Sequence, residues 1–184
     1  MTNQTAYVAD MVRIEMLRKY IREIPDFPAP GVLFKDITPL LNNSEALRET
    51  VLGLSAPYRE DGVDHVVGLE ARGFIFGASV AMELGAGFVP ARKVGKLPSK
   101  TIAQSYDLEY GTATVEIHSD AITPGSRVLI IDDVLATGGT GRAAVDLVRK
   151  AGGTVVGFSF LLELSELHGR EKMPDVELHA LLSV

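Results

Sequence analysis

Two stretches of the chain, 65–91 and 127–162, pass through the same order of patterns. Each begins with a β-branched apolar run, turns through a short loop, takes up a helical period, stops at glycine and ends in a second apolar run. In the first, 65–69 reads as a strand, "EARG" as a turn, 73–84 as a helix and 87–91 as a strand. In the second, 127–131 reads as a strand, 132–139 as a loop, 140–151 as a helix and 154–162 as a strand. Two such units require right-handed crossovers and so a mainly parallel central sheet flanked by helices, an α/β fold. Ligands in sheets of this kind gather at the carboxyl ends of the strands. Both "EARG" and "DDVLATGGT" fall at that edge.

The rest of the chain fits around this frame. With 184 residues and 46% hydrophobic content, a single domain spanning 1–184 is expected, large enough to bury about two-thirds of its unfolded surface. Residues 1–10 read as an N-terminal extension. Met11, Ile14, Leu17, Ile21 and Ile24 recur at three- and four-residue spacing, which predicts an amphipathic outer helix over 11–24. Prolines at 25, 28 and 30 forbid its continuation, so an extended segment leads into "VLFKDITPLL". Ser44 is the expected N-cap of a second helix through Leu47, Val51 and Leu54. Between the two repeated units, Arg92, Lys93, Lys96 and Lys100 occur with no acid among them, and 113–117 alternates like a strand. Such a reversal of charge in an acidic protein reads either as a solvated surface loop or as a lid over an anionic ligand; a lid loop over 92–108 is the expectation carried forward.

Composition removes several classes of function. The net charge of −6 argues against sequence-independent nucleic-acid binding. The absence of cysteine excludes disulfides, a thiolate nucleophile and cysteine-based zinc sites. No apolar run approaches the roughly 20 residues of a membrane span, and the polar start carries no signal-type segment, so a cytoplasmic protein without membrane partners is expected. His65, His118, His168 and His179 lack metal-ligand spacing.

The chemistry concentrates in "IIDDVLATGGT". Ala136, Thr137, Gly138, Gly139 and Thr140 open a helix, so their unpaired amides lie at the positive end of its dipole, and their small size admits a phosphate. No lysine follows in Walker A spacing and no G-x-G-x-x-G is formed, which removes the support for nucleotide hydrolysis or dinucleotide chemistry. Asp132 and Asp133 stand a few residues from this cradle, in reach of another part of the same ligand. A 5-phosphorylated ribose offers a monoester to the cradle and a diol to the two carboxylates. A divalent cation such as magnesium fits nearby, since it prefers oxygen donors and bridges substrate phosphates.

"VLIIDDVLATGGT" resembles the phosphoribosyl-diphosphate (PRPP) motif of type I phosphoribosyltransferases. "PDFPAPGVLFKDITPLL", "LEARGFIFG", "RKVGKLP", "SYDLEYG" and "LLELSELHGREK" resemble, in order, the adenine-using group of that family, from about residue 20 onward. The resemblance implies transfer of the phosphoribosyl group of PRPP to adenine in purine salvage, with Mg2+ carried by PRPP instead of by a protein cage, in a homodimer. It implies that Ala136 to Thr140 hold the 5-phosphate, that Asp132 and Asp133 face the ribose hydroxyls, and that Ala71, Arg72, Arg92, Lys93 and Lys96 meet pyrophosphate. Arg92 could serve the neighbouring subunit. Arg72 and Glu109 would be catalytic, Glu109 as the acid/base for the adenine imidazole edge. A hood over 25–41 would recognise the base through Leu33, Phe34 and Lys35, above a floor at Leu164. The resemblance also implies a cis peptide at Glu70–Ala71. Three rivals stand beside it: the same fold with hypoxanthine, guanine or orotate as acceptor, a PRPP-sensing regulator without catalysis, and a PRPP synthetase, which would be longer and carry an ATP site.

Overall fold

The computed structural model describes residues 13–184 other than 109 and 110. The chain divides into two compact units, Met1–Leu52 and Gly53–Val184.

In the first unit, residues 13–18 are helical (α1), and the chain then turns instead of continuing the helix to residue 24. Arg22–Pro25 (β1) pairs antiparallel with Leu33–Asp36 (β2), placing Ile24 opposite Phe34. A helix through Ile24 was the expectation from local period; pairing with a later segment overrides it. Arg22 Nε donates to Asp36 Oδ2 at 2.9 Å and closes the base of this hairpin. The Thr38 amide, donating to Asp36 Oδ1 at 2.9 Å, and the Arg22 guanidinium hold the Asp36 carboxyl below the usual range. At the tip, the Gly31 amide donates to Asp26 Oδ1 at 2.8 Å, the Phe27–Pro28 peptide is cis, and the Phe27 and Phe34 rings meet edge to face at 5.1 Å. Two helices follow, Thr38–Leu41 (α2) and Ser44–Ser55 (α3), the second running to the end of this unit and just beyond. Its capping oxygen belongs to Asn43, whose Oδ1 accepts the Ala46 amide at 2.9 Å; Ser44 is the first helical residue. Asn and Ser are near-equal caps, so sequence alone does not separate them.

The second unit is built on a seven-stranded sheet. Its strands are His65–Leu69 (β3), Gly87–Lys93 (β4), Thr101–Leu108 (β5), Gly111–His118 (β6), Arg127–Leu135 (β7), Thr154–Glu163 (β8) and Leu178–Ser183 (β9), in the order β5-β6-β4-β3-β7-β8-β9. The β4-β3-β7-β8-β9 pairs are parallel and the β5-β6-β4 pairs antiparallel. Gly73–Leu84 (α4) and Gly139–Lys150 (α5) are the two crossover helices. Alternation along the strands assigns them to opposite faces: Val67, Leu69, Val128, Ile130 and Phe158 pack into one core with Ala143, Ala144, Leu147 and Val148 of α5. Gly68 turns the other way, to the opening of α4 at Gly73.

Two expectations change here. Strand β7 continues to Leu135 through both aspartates, so the loop expected at 132–139 is confined to the small residues that follow. The stretch 92–108, expected as a lid loop, consists of the end of β4, a turn and the whole of β5, which pairs with β6 from Thr101 opposite His118 to Leu108 opposite Gly111. Pairing decides both outcomes, with the adjacent β6 for β5 and with β8 for the end of β7.

One packing contact is tight enough to test by itself. A Cβ on Gly157 of β8 would lie 2.3 Å from Cε1 and 2.6 Å from the hydroxyl of Tyr58, a side chain only 1% exposed. Gly157→Ala is expected to cost about 1–3 kcal/mol through overpacking. It should appear as a lower urea midpoint at unchanged slope.

Candidate active site

The small-residue loop follows the carboxyl end of β7, which pairs with β8 up to Leu135 opposite Glu163. Asp132, the 134–141 segment and Phe160 line a solvent-open hollow. Gly138 takes φ +78° directly before α5, and the Arg142 amide donates to its carbonyl at 2.9 Å. The helix therefore starts with its free amides turned to the hollow, an arrangement suited to a phosphate dianion. A short 3-10 turn, Gly169–Lys172, braces this loop from outside. A Cβ on Gly138 would lie 2.3 Å from the Gly169 carbonyl oxygen, and a Cβ on Gly169 would lie 2.2 Å from the Ala136 carbonyl oxygen. The two backbones touch with no room for any side chain between them. Thr140 Oγ1 donates to the Tyr106 hydroxyl at 3.2 Å, joining the cradle to β5.

The two aspartates stand in different places. Asp132 lines the hollow, and its Oδ1 accepts the Asp133 amide at 2.8 Å. Burial pushes its carboxyl well above the usual range, and the neighbouring Asp133 adds to the rise. Asp133 is 5% exposed and forms an ion pair with Arg72 Nε at 2.8 Å. Burial raises its carboxyl too, and the Arg72 charge works against that rise. Of the two, Asp132 lines the hollow, while Asp133 is engaged with Arg72.

A second network gathers the expected pyrophosphate residues. The Glu70–Ala71 peptide is cis. Glu70 Oε1 takes Arg92 Nη2 at 2.9 Å, and its Oε2 takes the Lys93 amide at 3.0 Å. These two bonds, Arg92 first, hold the Glu70 carboxyl below its ordinary value. Arg92 Nη1 also donates to the Lys96 carbonyl at 2.9 Å. The turn carrying Ala71 and Arg72 is thereby tied to Arg92, Lys93 and Lys96.

The remaining expected residues that the structure describes lie on β2 and just after β8. Leu164 follows β8, and its amide donates to the Leu135 carbonyl at 2.9 Å, beside the cradle. Leu33, Phe34 and Lys35 lie on β2 of the first unit, where Leu33 is 48% exposed and Lys35 is ion-paired with Glu23. Glu109 lies outside the described residues. Glu70 and Gly169 were given no role in the sequence; each lies inside a recognisable segment, and only the fold shows what it touches. Among the described residues, no three His, Asp or Glu side chains cluster as a metal cage. No helix among them is long and apolar enough to cross a membrane.

Comparison with known proteins agrees with this geometry. The phosphoribosyl transferase domain model matches residues 41–181. The adenine phosphoribosyltransferase of Thermobifida fusca is 68% identical over 169 residues, covering 92% of this chain and 96% of its own. Among solved structures, the Rhodothermus marinus adenine phosphoribosyltransferase superposes with a TM-score of 0.91 at 54% identity, covering 95% of this chain and 99% of that one. The Saccharomyces cerevisiae enzyme, crystallised with an imino-altritol bisphosphate and adenine, does so with a TM-score of 0.88 at 38% identity, covering 93% and 99%. With its mostly parallel seven-stranded sheet, the small-residue loop at the start of α5 and the adjacent acids, the chain belongs to the adenine phosphoribosyltransferases of the type I phosphoribosyltransferase family.

Proposed function

We propose that this chain transfers the 5-phosphoribosyl group of PRPP to N9 of adenine, giving AMP and pyrophosphate. The bond from ribose C1 to the pyrophosphate oxygen breaks, the bond from C1 to N9 forms, and the adenine imidazole edge loses a proton to a base. The observation that carries the reading is the start of α5, where Gly138 and Gly139 open a helix beside Asp132, a half-buried acid that lines the same hollow. The backbone of Ala136 to Thr140 holds the 5-phosphate, and Asp132 accepts from the ribose hydroxyls. Asp133 acts at one remove, orienting Arg72 and joining the diol contacts when PRPP draws Arg72 away. Arg72, Ala71, Arg92, Lys93 and Lys96 receive the departing pyrophosphate, whose charge grows as the C1 bond breaks; fixed cations stabilise such charge best where water is excluded.

Adenine recognition is assigned to Leu33, Phe34 and Lys35 of the hood and to Leu164, and proton acceptance to Glu109. Support here comes from segment-by-segment resemblance and from the yeast relative crystallised with adenine. PRPP enters as its magnesium complex, the ion being part of the substrate. A single catalytic domain with its hood, a homodimer as the working form and a cytoplasmic setting belong to the same proposal, the last because phosphorylated substrates do not cross membranes unaided.

The test is nucleotide formation from PRPP and magnesium with adenine, hypoxanthine, guanine and orotate offered separately, beside the Asp132→Asn/Asp133→Asn double variant. AMP from adenine alone, abolished in the variant, is the expected result. Tight PRPP binding without nucleotide from any base would replace this reading with that of a PRPP sensor.

A further inference from the structure

Glu116 is a buried acid for which the transfer chemistry above has no use. It sits on β6, opposite Arg92 of β4 and Ala103 of β5, and is 4% exposed. Its Oε1 accepts the Gly95 amide at 2.9 Å and the Leu97 amide at 3.3 Å. Burial works against its charge, but the Thr101 hydroxyl and the amides of Leu97, Gly95 and Lys96 outweigh it and hold the carboxyl below its ordinary range. Successive amides converging on one anion form a nest. In this nest the anion belongs to the protein. Two strand positions further on, His118 Nε2 bonds to the Pro98 carbonyl oxygen at 2.7 Å, so β6 grips the same turn twice.

What the nest fixes is the turn between β4 and β5. The Lys96 carbonyl in that turn accepts Arg92 Nη1, and Arg92 in turn reaches Glu70. We propose that Glu116 is a positioning residue for pyrophosphate: by holding the Gly95–Leu97 turn it sets the places of Lys96 and Arg92, and through them the grip on the leaving group. The inference rests on the transferase reading and extends it to a residue that touches no substrate. An apolar residue at 116 would leave the turn's amides without their acceptor. A glutamine would keep the accepting oxygen and lose only the charge.

The experiment measures KM for PRPP and for adenine in the forward direction, and KM for pyrophosphate in the reverse direction, on the full chain. Glu116→Ala is expected to raise the PRPP and pyrophosphate values about 10–100-fold, the scale of a misplaced binding group, and to leave the adenine value unchanged. Glu116→Gln should restore most of the loss. Gly95→Ala provides a second route, since Gly95 takes φ +81° with open space around it; the substitution disturbs the turn and leaves the carboxylate in place. It should reproduce the selective rise, and it decides the matter alone if Glu116→Ala does not fold. PRPP and pyrophosphate values that stay put, or an adenine value that rises in step with them, would overturn the inference. A wild-type chain that makes no AMP would overturn the transferase reading along with it, whereas a working wild type with unmoved variants overturns this inference alone.

Discussion

Gly169→Ala is expected to lower kcat/KM about 10²-fold, with the loss on the PRPP side of the reaction, because a displacement of about 1 Å in a binding group has that effect. The added methyl carbon would lie 2.2 Å from the Ala136 carbonyl oxygen and 3.1 Å from the Gly138 nitrogen. Both are backbone atoms of the cradle, so no flexible side chain can move aside. The sheet gives no ground either, since β7 and β8 run side by side up to Leu135 and Glu163. The loop therefore shifts toward the hollow that it lines. KM for PRPP should rise while KM for adenine holds, and overpacking at this buried glycine should lower the melting temperature as well. Unchanged PRPP kinetics would show that the cradle tolerates displacement.

Asp132→Asn is expected to move stability and activity in opposite directions. A carboxyl whose pKa rises on folding binds its proton more tightly in the folded chain than in the unfolded one. Its ionisation therefore weakens the fold as pH climbs from the ordinary value of 3.8 through the raised one. Asparagine removes that cost and keeps the Oδ1 that accepts the Asp133 amide. The ligand-free variant should melt higher than wild type near neutral pH, by an amount on the order of a few degrees. The gap should close as pH falls toward the ordinary carboxyl range, where wild type is protonated as well. Activity should fall on the order of 10²-fold, since the charge lost is the one proposed to accept from the ribose hydroxyls. A variant that melts lower than wild type at neutral pH would refute this account of Asp132. Such opposition between stability and function is the usual mark of a group kept for its chemistry.

Periodicity located the helices of the repeated units closely: 73–84 was expected and Gly73–Leu84 is found, while 140–151 was expected and Gly139–Lys150 is found. These helices carry their burial pattern within themselves. Strands β1, β2, β5 and β9 and the end of β7, left unassigned by periodicity, are fixed by pairing: β1 with β2 and β5 with β6 as local hairpins, β9 and the end of β7 with β8. Asp132 and Asp133 read as the start of a loop because carboxylates at the end of an apolar strand are costly; the strand holds them because Arg72 and the Asp133 amide are there to meet them. The small-residue loop that lines the hollow was readable from its glycines and threonines. Glu116 was not, since one acid in an alternating strand looks the same whether it faces water or a ring of amides.

The ion pairs described at the site have a consequence for how a charged substrate arrives. Arg72 already has Asp133, and Arg92 already has Glu70. The empty enzyme thus behaves as an ion exchanger loaded with its own counterions. With Arg72 and Arg92 receiving pyrophosphate as proposed, an incoming polyphosphate has to displace fixed carboxylates more than dissolved anions from these guanidinium groups. Selectivity then follows, because a weak or singly charged anion cannot compete with an acid held within 3 Å. A magnesium-bound diphosphate, which brings several oxygens at once, can.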